Sequence, residues 1–395
     1  MPTRTSRANL RELEPLLTDS ELKAVFDNLL AGTQGPANDV ELLENLFQQI
    51  TGAKNAIAVS SGAAAMHLGL RVARMQAADF AILSPLTTIP VISALLQENI
   101  IPVFVDVDRI SGCLNADSIS QTASDMNASV KLSRRWLPRK GCEKIGHLKA
   151  VILQHGLAQP GYVDKVKIAL PDQIMFLGEF SQVIGNIGNG MAVGMLADLA
   201  IYSFQMGQGF PNVTCGMLTT NHEGHAEQLR ILRNQGCQPE QNEDRMIQLG
   251  FNYSAGRIQA ALWNAHLLHV DTFQNQCQKI ANWYEQRLME ILVINVHPAY
   301  TYRGQAIRPE MVVSLDESLN RQELLEELEI LGVLAQPHGL PAHLQPIMIE
   351  RFGYREGDYP AAEDLCSKSI SLPFSQRMTE RQVDIVCRIL AQILV

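Results

Sequence analysis

The sequence predicts an α/β protein with a mainly parallel sheet sandwiched by helices, followed by a smaller α+β C-terminal domain. Up to about residue 260, short apolar runs alternate with helical patterns, which is typical of parallel strands buried on both faces. From about Leu262 long helical segments dominate, with one strand-like run at Met311–Leu315. A chain of 395 residues that is 46% hydrophobic is large enough for two cores.

The individual elements follow from these patterns. Apolar runs predict strands at residues 56–59, 80–83, 102–106, 150–153, 174–177 and 199–202. Helical periodicity predicts helices at residues 63–74, 91–97, 321–331 and 380–394, and long helices from about residue 262 to 291. We therefore expect an N-terminal arm over 1–37, a large domain over 38–262, and a small C-terminal domain over 263–395.

Composition narrows the class of partner. A net charge of −9 disfavours long-range attraction to nucleic acid or to an anionic membrane. Seven scattered cysteines without a CxxC pair predict reduced thiols in a cytoplasmic protein and no metal site. The N-terminus does not resemble a signal peptide, and no segment is apolar for long enough to predict a membrane span. A small molecule or another protein is the expected partner.

One local basic cluster contrasts with the acidic whole. It lies near residues 127–149 and contains Lys131, Arg134, Arg135, Arg139, Lys140, Lys144 and Lys149. Such a run is usually a solvated face, so we predict a surface insertion in the large domain; the alternative is a docking surface for a phosphorylated or nucleotide-bearing ligand.

A turn of small residues, Ser61-Gly62-Ala63-Ala64-Ala65, follows the first predicted strand and opens a helix. Glycine permits close backbone approach, and free amides at a helix N-terminus favour a phosphate. Small residues also occur at such turns merely to let a helix pack on a strand. The motif gains meaning from later segments: Pro-Leu-Thr-Thr-Ile at 85–89, Gly-Glu-Phe-Ser-Gln-Val-Ile-Gly at 178–185, Ser-Phe-Gln-Met-Gly-Gln at 203–208 and Gly-Phe-Asn-Tyr-Ser at 250–254.

In order and type, these segments resemble the DegT-type family of sugar aminotransferases that use pyridoxal phosphate (PLP), from about residue 38 to the C-terminus. The resemblance implies the fold type I PLP-transferase architecture and a dimer with its sites at the subunit interface. It also implies a nucleotide-sugar ligand and a role in polysaccharide, glycosylation or antibiotic sugar synthesis, which is analogy at the level of the family.

The resemblance implies cofactor contacts for particular residues. Gly62 and Ala63 lie in the phosphate motif, where Ala63 replaces a threonine. Ile89 lies where the family has an aromatic residue stacked on the cofactor ring. Glu179 replaces the aspartate that pairs with the ring nitrogen, keeping the charge but adding a methylene. Gln182 matches a glutamine that contacts the ring oxygen.

Two further contacts are implied. Ser203 matches a ligand of the phosphate. Asn252 belongs to a loop that reaches the partner subunit's phosphate in the family, and there Ser254 replaces an arginine.

The family's Schiff-base lysine is replaced by Gln208, and Gln205 replaces a nearby histidine. No lysine lies between Lys167 and Lys279, so no small realignment supplies one. A neutral amide cannot form an imine or shuttle a proton near neutral pH. We therefore assign no catalytic residue and predict that ordinary transamination is absent.

Three hypotheses follow. The first is a nucleotide-sugar-related pseudoenzyme, working as a homodimer or as a heterodimer with an active paralogue. The second is a lysine-less dehydratase that uses pyridoxamine phosphate (PMP), although Gln208 lacks the acid–base function of the histidine such enzymes place there. The third is an active aminotransferase of unusual mechanism. We expect bound PLP or PMP to be weak and non-covalent, and a chain without cofactor is an equal alternative.

Overall fold

The structure is a computed structural model with mixed α/β architecture. It describes residues 17–31, 39–128, 130–144, 146–154, 167, 170–171, 173–181, 187–188, 191–192, 197–204, 213–240, 243–297, 300–302, 305–307 and 310–394.

Within the described residues, the strands form two main sheets and three two-stranded sheets. They are β1 (Asn55–Val59), β2 (Phe80–Leu83), β3 (Ile101–Phe104), β4 (Leu148–Gln154), β5 (Met175–Glu179), β6 (Ile187–Gly188), β7 (Met191–Ala192), β8 (Leu199–Phe204), β9 (Cys215–Thr220), β10 (Cys237–Glu240), β11 (Glu243–Met246), β12 (Ile294–Val296), β13 (Tyr300–Tyr302), β14 (Gln305–Ile307), β15 (Met311–Leu315), β16 (Gln336–Pro337) and β17 (Ser369–Leu372).

The helices lie between these strands. They are α1 (Asp19–Ala31), α2 (Asp39–Thr51), α3 (Gly62–Val72), α4 (Ile89–Gln97), α5 (Ala116–Ala128), α6 (Val130–Ser133), α7 (Glu223–Arg233), α8 (Arg257–Leu267), α9 (Val270–Leu288), α10 (Arg321–Ile330), α11 (Pro346–Phe352), α12 (Pro360–Lys368) and α13 (Glu380–Leu394). A 3₁₀ turn covers Ala342–Leu344.

The first main sheet has seven strands in the order β1-β9-β8-β5-β4-β2-β3. All are parallel except β9, which runs antiparallel to both β1 and β8. Its central strands are buried apolar runs, because helices cover both faces of a parallel sheet. The predicted mainly parallel sheet is confirmed, and the antiparallel strand beside β8 was not foreseen from the sequence.

The second main sheet has four antiparallel strands in the order β12-β15-β17-β16. Its core includes Tyr284 of α9, Leu328 of α10 and Val386 of α13, all buried. Trp263 and Leu267 of α8 pack in the core of the first sheet. The domain boundary at 262/263 stays a prediction.

The basic insertion makes contacts with the C-terminal part of the chain. Arg139 donates to both carboxylate oxygens of Asp358, at 2.5 and 2.7 Å, and the Lys140 amide donates to the Phe352 carbonyl at 3.1 Å. Part of the predicted solvated insertion is therefore docked on the segment 352–358. The exposed Arg134 is a cluster member that keeps the predicted surface character.

Two properties of the described ranges are relevant to function. None of their helices combines the length and apolar character needed to cross a bilayer. Within the same ranges, no group of three His, Cys, Asp or Glu side chains is placed to hold a metal ion.

Candidate functional site

The turn at the start of α3 lies against the end of strand β8. Ser61 is the N-cap of α3, and its hydroxyl accepts a hydrogen bond from the Ala64 amide at 3.1 Å. A Cβ on Gly62 would lie 2.3 Å from Ser203 Cβ and 2.5 Å from Ser203 Oγ. Only glycine therefore allows the turn to approach Ser203 so closely. The structure brings together two of the predicted phosphate contacts, Gly62 and Ser203.

A second glycine brings the turn onto the sheet. Gly216 of β9 pairs with Val59 of β1 on one side and with Ser203 of β8 on the other. A Cβ on Gly216 would lie 2.2 Å from the Ser61 carbonyl oxygen. The turn at 61–62 is thus seated on the ends of three strands, with its free helix amides at that edge.

The carboxylate of Glu179 is bound by a neighbouring serine at the end of β5. Glu179 Oε1 accepts hydrogen bonds from the Ser181 amide at 3.2 Å and from the Ser181 hydroxyl. The Ser181 hydroxyl also accepts from the Ser203 amide at 2.6 Å. The hydroxyl therefore links the predicted ring-nitrogen partner to the predicted phosphate contact.

The residues around Glu179 are packed tightly on one another. Phe180 is fully buried, and its amide donates to the Ile201 carbonyl at 2.8 Å. A Cβ on Gly178 would lie 2.1 Å from Phe180 Cε2 and 2.3 Å from Cζ. Real Cβ atoms do not approach this closely, so the Phe180 ring position requires glycine at 178.

The segment before α4 contacts the C-terminal part of the chain. The Ala342 amide donates to the Pro85 carbonyl at 2.6 Å, and Leu86 packs against a small core cluster that includes Val107, Val312 and Leu365. Thr87 Oγ1 is buried and has no hydrogen-bond partner among the described residues. Ile89 opens α4 and is 67% exposed, so its side chain is available to a ligand or a partner.

The loop at 250–254 is anchored through its backbone. The Ser60 amide donates to the Tyr253 carbonyl at 2.8 Å, and the Tyr253 amide donates to the Arg233 carbonyl at 3.0 Å. Its side chains alternate in exposure: Asn252 and Ser254 are exposed, and Tyr253 between them is half-buried. Ser254 forms a bridge with Val59, beside this chain's own turn at 61–62.

The side chain of Tyr253 is hydrogen-bonded to a buried histidine. His67 of α3 is 3.0 Å from the Tyr253 hydroxyl through Nδ1 and 2.6 Å from Glu98 Oε1 through Nε2. Arg71 donates to the other Glu98 oxygen at 3.1 Å. Burial, with a smaller contribution from the Glu98 charge, raises the pKa of Tyr253 above its ordinary value. The phenol is therefore neutral at physiological pH and can donate a hydrogen bond to His67.

The predicted site residues divide into three groups. Gly62, Ala63, Glu179 and Ser203 lie around the ends of β5 and β8 and the start of α3. Ile89, at the start of α4, and Asn252, in the loop at 250–254, are both exposed. Gln182, Gln205 and Gln208 lie outside the described residues.

Sequence reasoning missed several residues that the structure places at the site. Ser181 holds Glu179, Phe180 and Gly178 pack together, and His67 with Glu98 holds Tyr253. A signal for the first three was present in the sequence: the resemblance aligns 178–182 with the family segment Glu-Asp-Ala-Ala-Gln, and Gly178, Phe180 and Ser181 each depart from it.

These residues can be tested against PLP or PMP. The start of α3 with Gly62 and Ser203 suits a phosphate, since its amides and a hydroxyl face one edge. The residues that would face the cofactor ring are less suitable. Ser181 already binds Glu179, and no lysine lies between Lys167 and Lys279 in the sequence. Because an imine needs an amine, the described residues of this site do not offer an anchor for a Schiff-base-linked cofactor.

Comparison with known proteins agrees with the resemblance. A family model described as the DegT/DnrJ/EryC1/StrS aminotransferase family matches residues 16–391. GDP-perosamine synthase of Caulobacter vibrioides is 28% identical over 355 residues, with 89% of each chain covered. The spore coat polysaccharide biosynthesis protein SpsC of Bacillus subtilis is 26% identical over 384 residues, covering 94% of this chain and 93% of SpsC.

Solved structures confirm the predicted fold type I architecture. A putative sugar aminotransferase of Streptococcus pneumoniae in its PMP form has a TM-score of 0.83 at 18% identity, covering 96% of this chain and 97% of the other. The E. coli GDP-4-keto-6-deoxy-D-mannose-3-dehydratase with bound hydrated PLP has a TM-score of 0.78 at 18% identity, covering 95% and 97%. At these identities the likeness shows the fold alone.

Proposed function

Because this chain belongs to the DegT/DnrJ/EryC1/StrS family of PLP-dependent sugar aminotransferases, we propose that it is a nucleotide-sugar-related pseudoenzyme that works as a subunit of a dimer. Its relatives in GDP-perosamine and spore coat polysaccharide synthesis support a setting in sugar metabolism. In this proposal the chain does not carry out autonomous transamination.

The observation that carries the proposal is the absence of an amine where the family forms its imine. Gln208 stands at the matching position, with no lysine between Lys167 and Lys279. Transamination needs that residue both as an amine and as a proton shuttle. Ala63, Ile89 and Ser254 replace further cofactor contacts, so the loss is spread over the phosphate and the ring.

The role as a dimer subunit is supported by the loop at 250–254. Asn252 in this loop is exposed, while the neighbouring Tyr253 is bound by His67, which also contacts Glu98. A buried network of this kind orders a loop. In the proposal, the loop presents Asn252 to the site of the adjoining subunit, which is a second copy or an intact paralogue.

The first experiment is an absorbance titration of the purified protein with PLP and, separately, with PMP. Each titration is followed by borohydride reduction and intact-mass measurement. We expect no borohydride-fixed adduct on this chain. An adduct mapped to one lysine would overturn the proposal and support the aminotransferase of unusual mechanism.

The second experiment restores the amine. We expect Gln208→Lys alone not to give transamination with glutamate as amino donor, because Ala63, Ile89 and Ser254 remain. Gln322→Lys places the same new amine on an exposed face of α10 and controls for adventitious imine formation. Turnover by Gln208→Lys and not by the control would contradict the proposal.

The dehydratase hypothesis is a distinct outcome of the same work. Incubation with PMP and a 4-keto-6-deoxy nucleotide sugar would then give a deoxygenated product. We expect none, since Gln208 has no group that titrates near neutrality. Mixing the chain with an intact paralogue and measuring the complex by native mass spectrometry tests the heterodimer directly.

A further inference from the structure

The register of the sheet sets Ser181 beside Ser203. Strands β5 and β8 are parallel and pair Glu179 with Ile201, so two residues further along Ser181 lies next to Ser203. The Ser203 amide donates to the Ser181 hydroxyl at 2.6 Å. The serine hydroxyl is thus fixed by the backbone of the adjacent strand, beyond the end of the ladder.

The Ser181 hydroxyl in turn donates a hydrogen bond to Glu179. Ser181 Oγ donates to Glu179 Oε1, and the Ser181 amide donates to the same oxygen at 3.2 Å. Hydrogen bonds to a carboxylate are the strong kind, and an amide that donates to a hydroxyl polarises it toward its own acceptor. The Ser203–Ser181–Glu179 chain therefore holds this carboxylate against its own strand.

The packing behind this chain fixes its position. Phe180, which lies between Glu179 and Ser181 in the sequence, is fully buried. Gly178 leaves the space that the Phe180 ring occupies, since a Cβ there would come within 2.1 Å of it. The backbone at 178–181 cannot shift to release Glu179 without moving a buried aromatic ring.

We propose that Ser181 is a specificity-determining positioning residue that turns Glu179 away from the nitrogen of any pyridine-type ligand. The site consequently accepts a phosphate monoester at the start of α3 without selecting for a basic ring. This inference rests on the proposed function, because it assigns to Glu179 the position of the family's ring-nitrogen partner. It explains a loss of ring recognition separately from the loss of the lysine.

The test is a set of binding measurements that need no catalysis. PMP, which requires no lysine, is compared by calorimetry with benzyl phosphate, which has a phosphate and a ring but no ring nitrogen. For Ser181→Ala we expect the affinity for PMP to rise by about tenfold or more, the effect of one charged hydrogen bond, with benzyl phosphate unchanged. Ser181→Thr keeps the hydroxyl and should bind PMP as the unaltered chain does.

A double variant shows whether the gain depends on the carboxylate. In Glu179→Gln/Ser181→Ala the gain for PMP should disappear, because a neutral amide does not stabilise a protonated ring nitrogen. Circular dichroism and melting temperature establish that each variant folds, and Ser181→Thr serves as the folded reference. Equal affinity of Ser181→Ala and the unaltered chain for PMP, or a gain that survives in the double variant, would overturn the inference. The proposed function fails on a different result, a borohydride-fixed adduct or turnover.

Discussion

Two sides of the candidate site differ in how they depart from the family pattern. On the β5 side, defined by residues 178–181 with Ser203, the replaced residues bind and pack against one another. On the loop side, defined by residues 250–254 with His67 and Glu98, a polar network supports an exposed Asn252. The residues of the β5 side contact one another, whereas the loop side exposes Asn252 to solvent.

Under the proposed function, the difference bears on whether the site decayed at random or was rebuilt. Decay of an unused site would leave uncompensated polar groups and cavities, which cost stability. On the β5 side Gly178 makes room for Phe180, and Ser181 satisfies Glu179. The predictions below test whether the β5 side is a packed core and the loop side a positioned surface, in order of decreasing expected effect.

The largest effect is expected for Phe180→Ala. The side chain is fully buried, so its removal should lower the free energy of unfolding by about 3–5 kcal/mol. Ile89→Ala is the matched control at the family's ring-face position, where the side chain is 67% exposed, and it should change stability by less than about 0.5 kcal/mol. Urea unfolding followed by circular dichroism measures both. Similar losses for the two variants would remove the distinction between core and surface.

A smaller effect is expected for Gly178→Ala. The new Cβ would lie 2.1 Å from the Phe180 ring, and overpacking of this kind costs about 1–3 kcal/mol. Gly224→Ala, in helix α7 with no atom within 4 Å of the new Cβ, is the control and should be neutral or stabilising by up to about 1 kcal/mol. If Gly178→Ala proved as harmless as the control, the Phe180 ring would not depend on glycine at 178.

The sequence predicted the fold better than the site. Strands such as β1 and β2 are continuous apolar runs, and α13 was placed at its observed limits, 380–394. Helix α4 begins at Ile89 rather than at 91, because Pro90 is well tolerated in a first turn. The antiparallel direction of β9 depends on pairing between distant segments, which local periodicity does not encode.

Some site residues could not be predicted for the same reason, which is that their contacts join segments distant in the sequence. His67 meets Glu98 and Tyr253 across separations of 31 and 186 residues, so no local pattern links them. Ser181 was matched to an alanine of the family, and its hydroxyl gained a role only when β5 was paired with β8. The resemblance implied a phosphate contact for Gly62 and for Ser203, but the closeness of these two residues to each other was not predicted.

On the loop side, His67→Gln should loosen Tyr253 without disturbing the β5 side. The glutamine cannot bridge Tyr253 and Glu98 as the ring does, and the lost buried hydrogen bonds should cost about 1–2 kcal/mol. Hydrogen exchange of the Ser60 amide, which donates to the Tyr253 carbonyl, should accelerate. The control is His147→Gln, whose side chain is exposed. Unchanged protection of Ser60 would show that His67 does not hold the loop.

The smallest effect is expected for Tyr253→Phe, which removes only the hydroxyl bonded to His67, for about 0.5–1 kcal/mol. Its pH dependence carries the sharper information. Burial and the Glu98 charge raise the pKa of Tyr253 in the folded chain above the ordinary value of 10.0. Its contribution is therefore complete below pH 10 and is lost as the pH rises through the folded pKa, since the unfolded chain releases the proton first.

The variant should accordingly lose less stability than the unaltered chain on going from pH 9 to above pH 10, and the two unfolding curves should converge there. Other buried tyrosines contribute equally to both proteins and cancel in the difference. Urea unfolding at a series of pH values supplies the comparison. Parallel curves across that range would mean that Tyr253 titrates as a free phenol, and the loop side would then be a solvated surface without the buried anchor that distinguishes it from the β5 side.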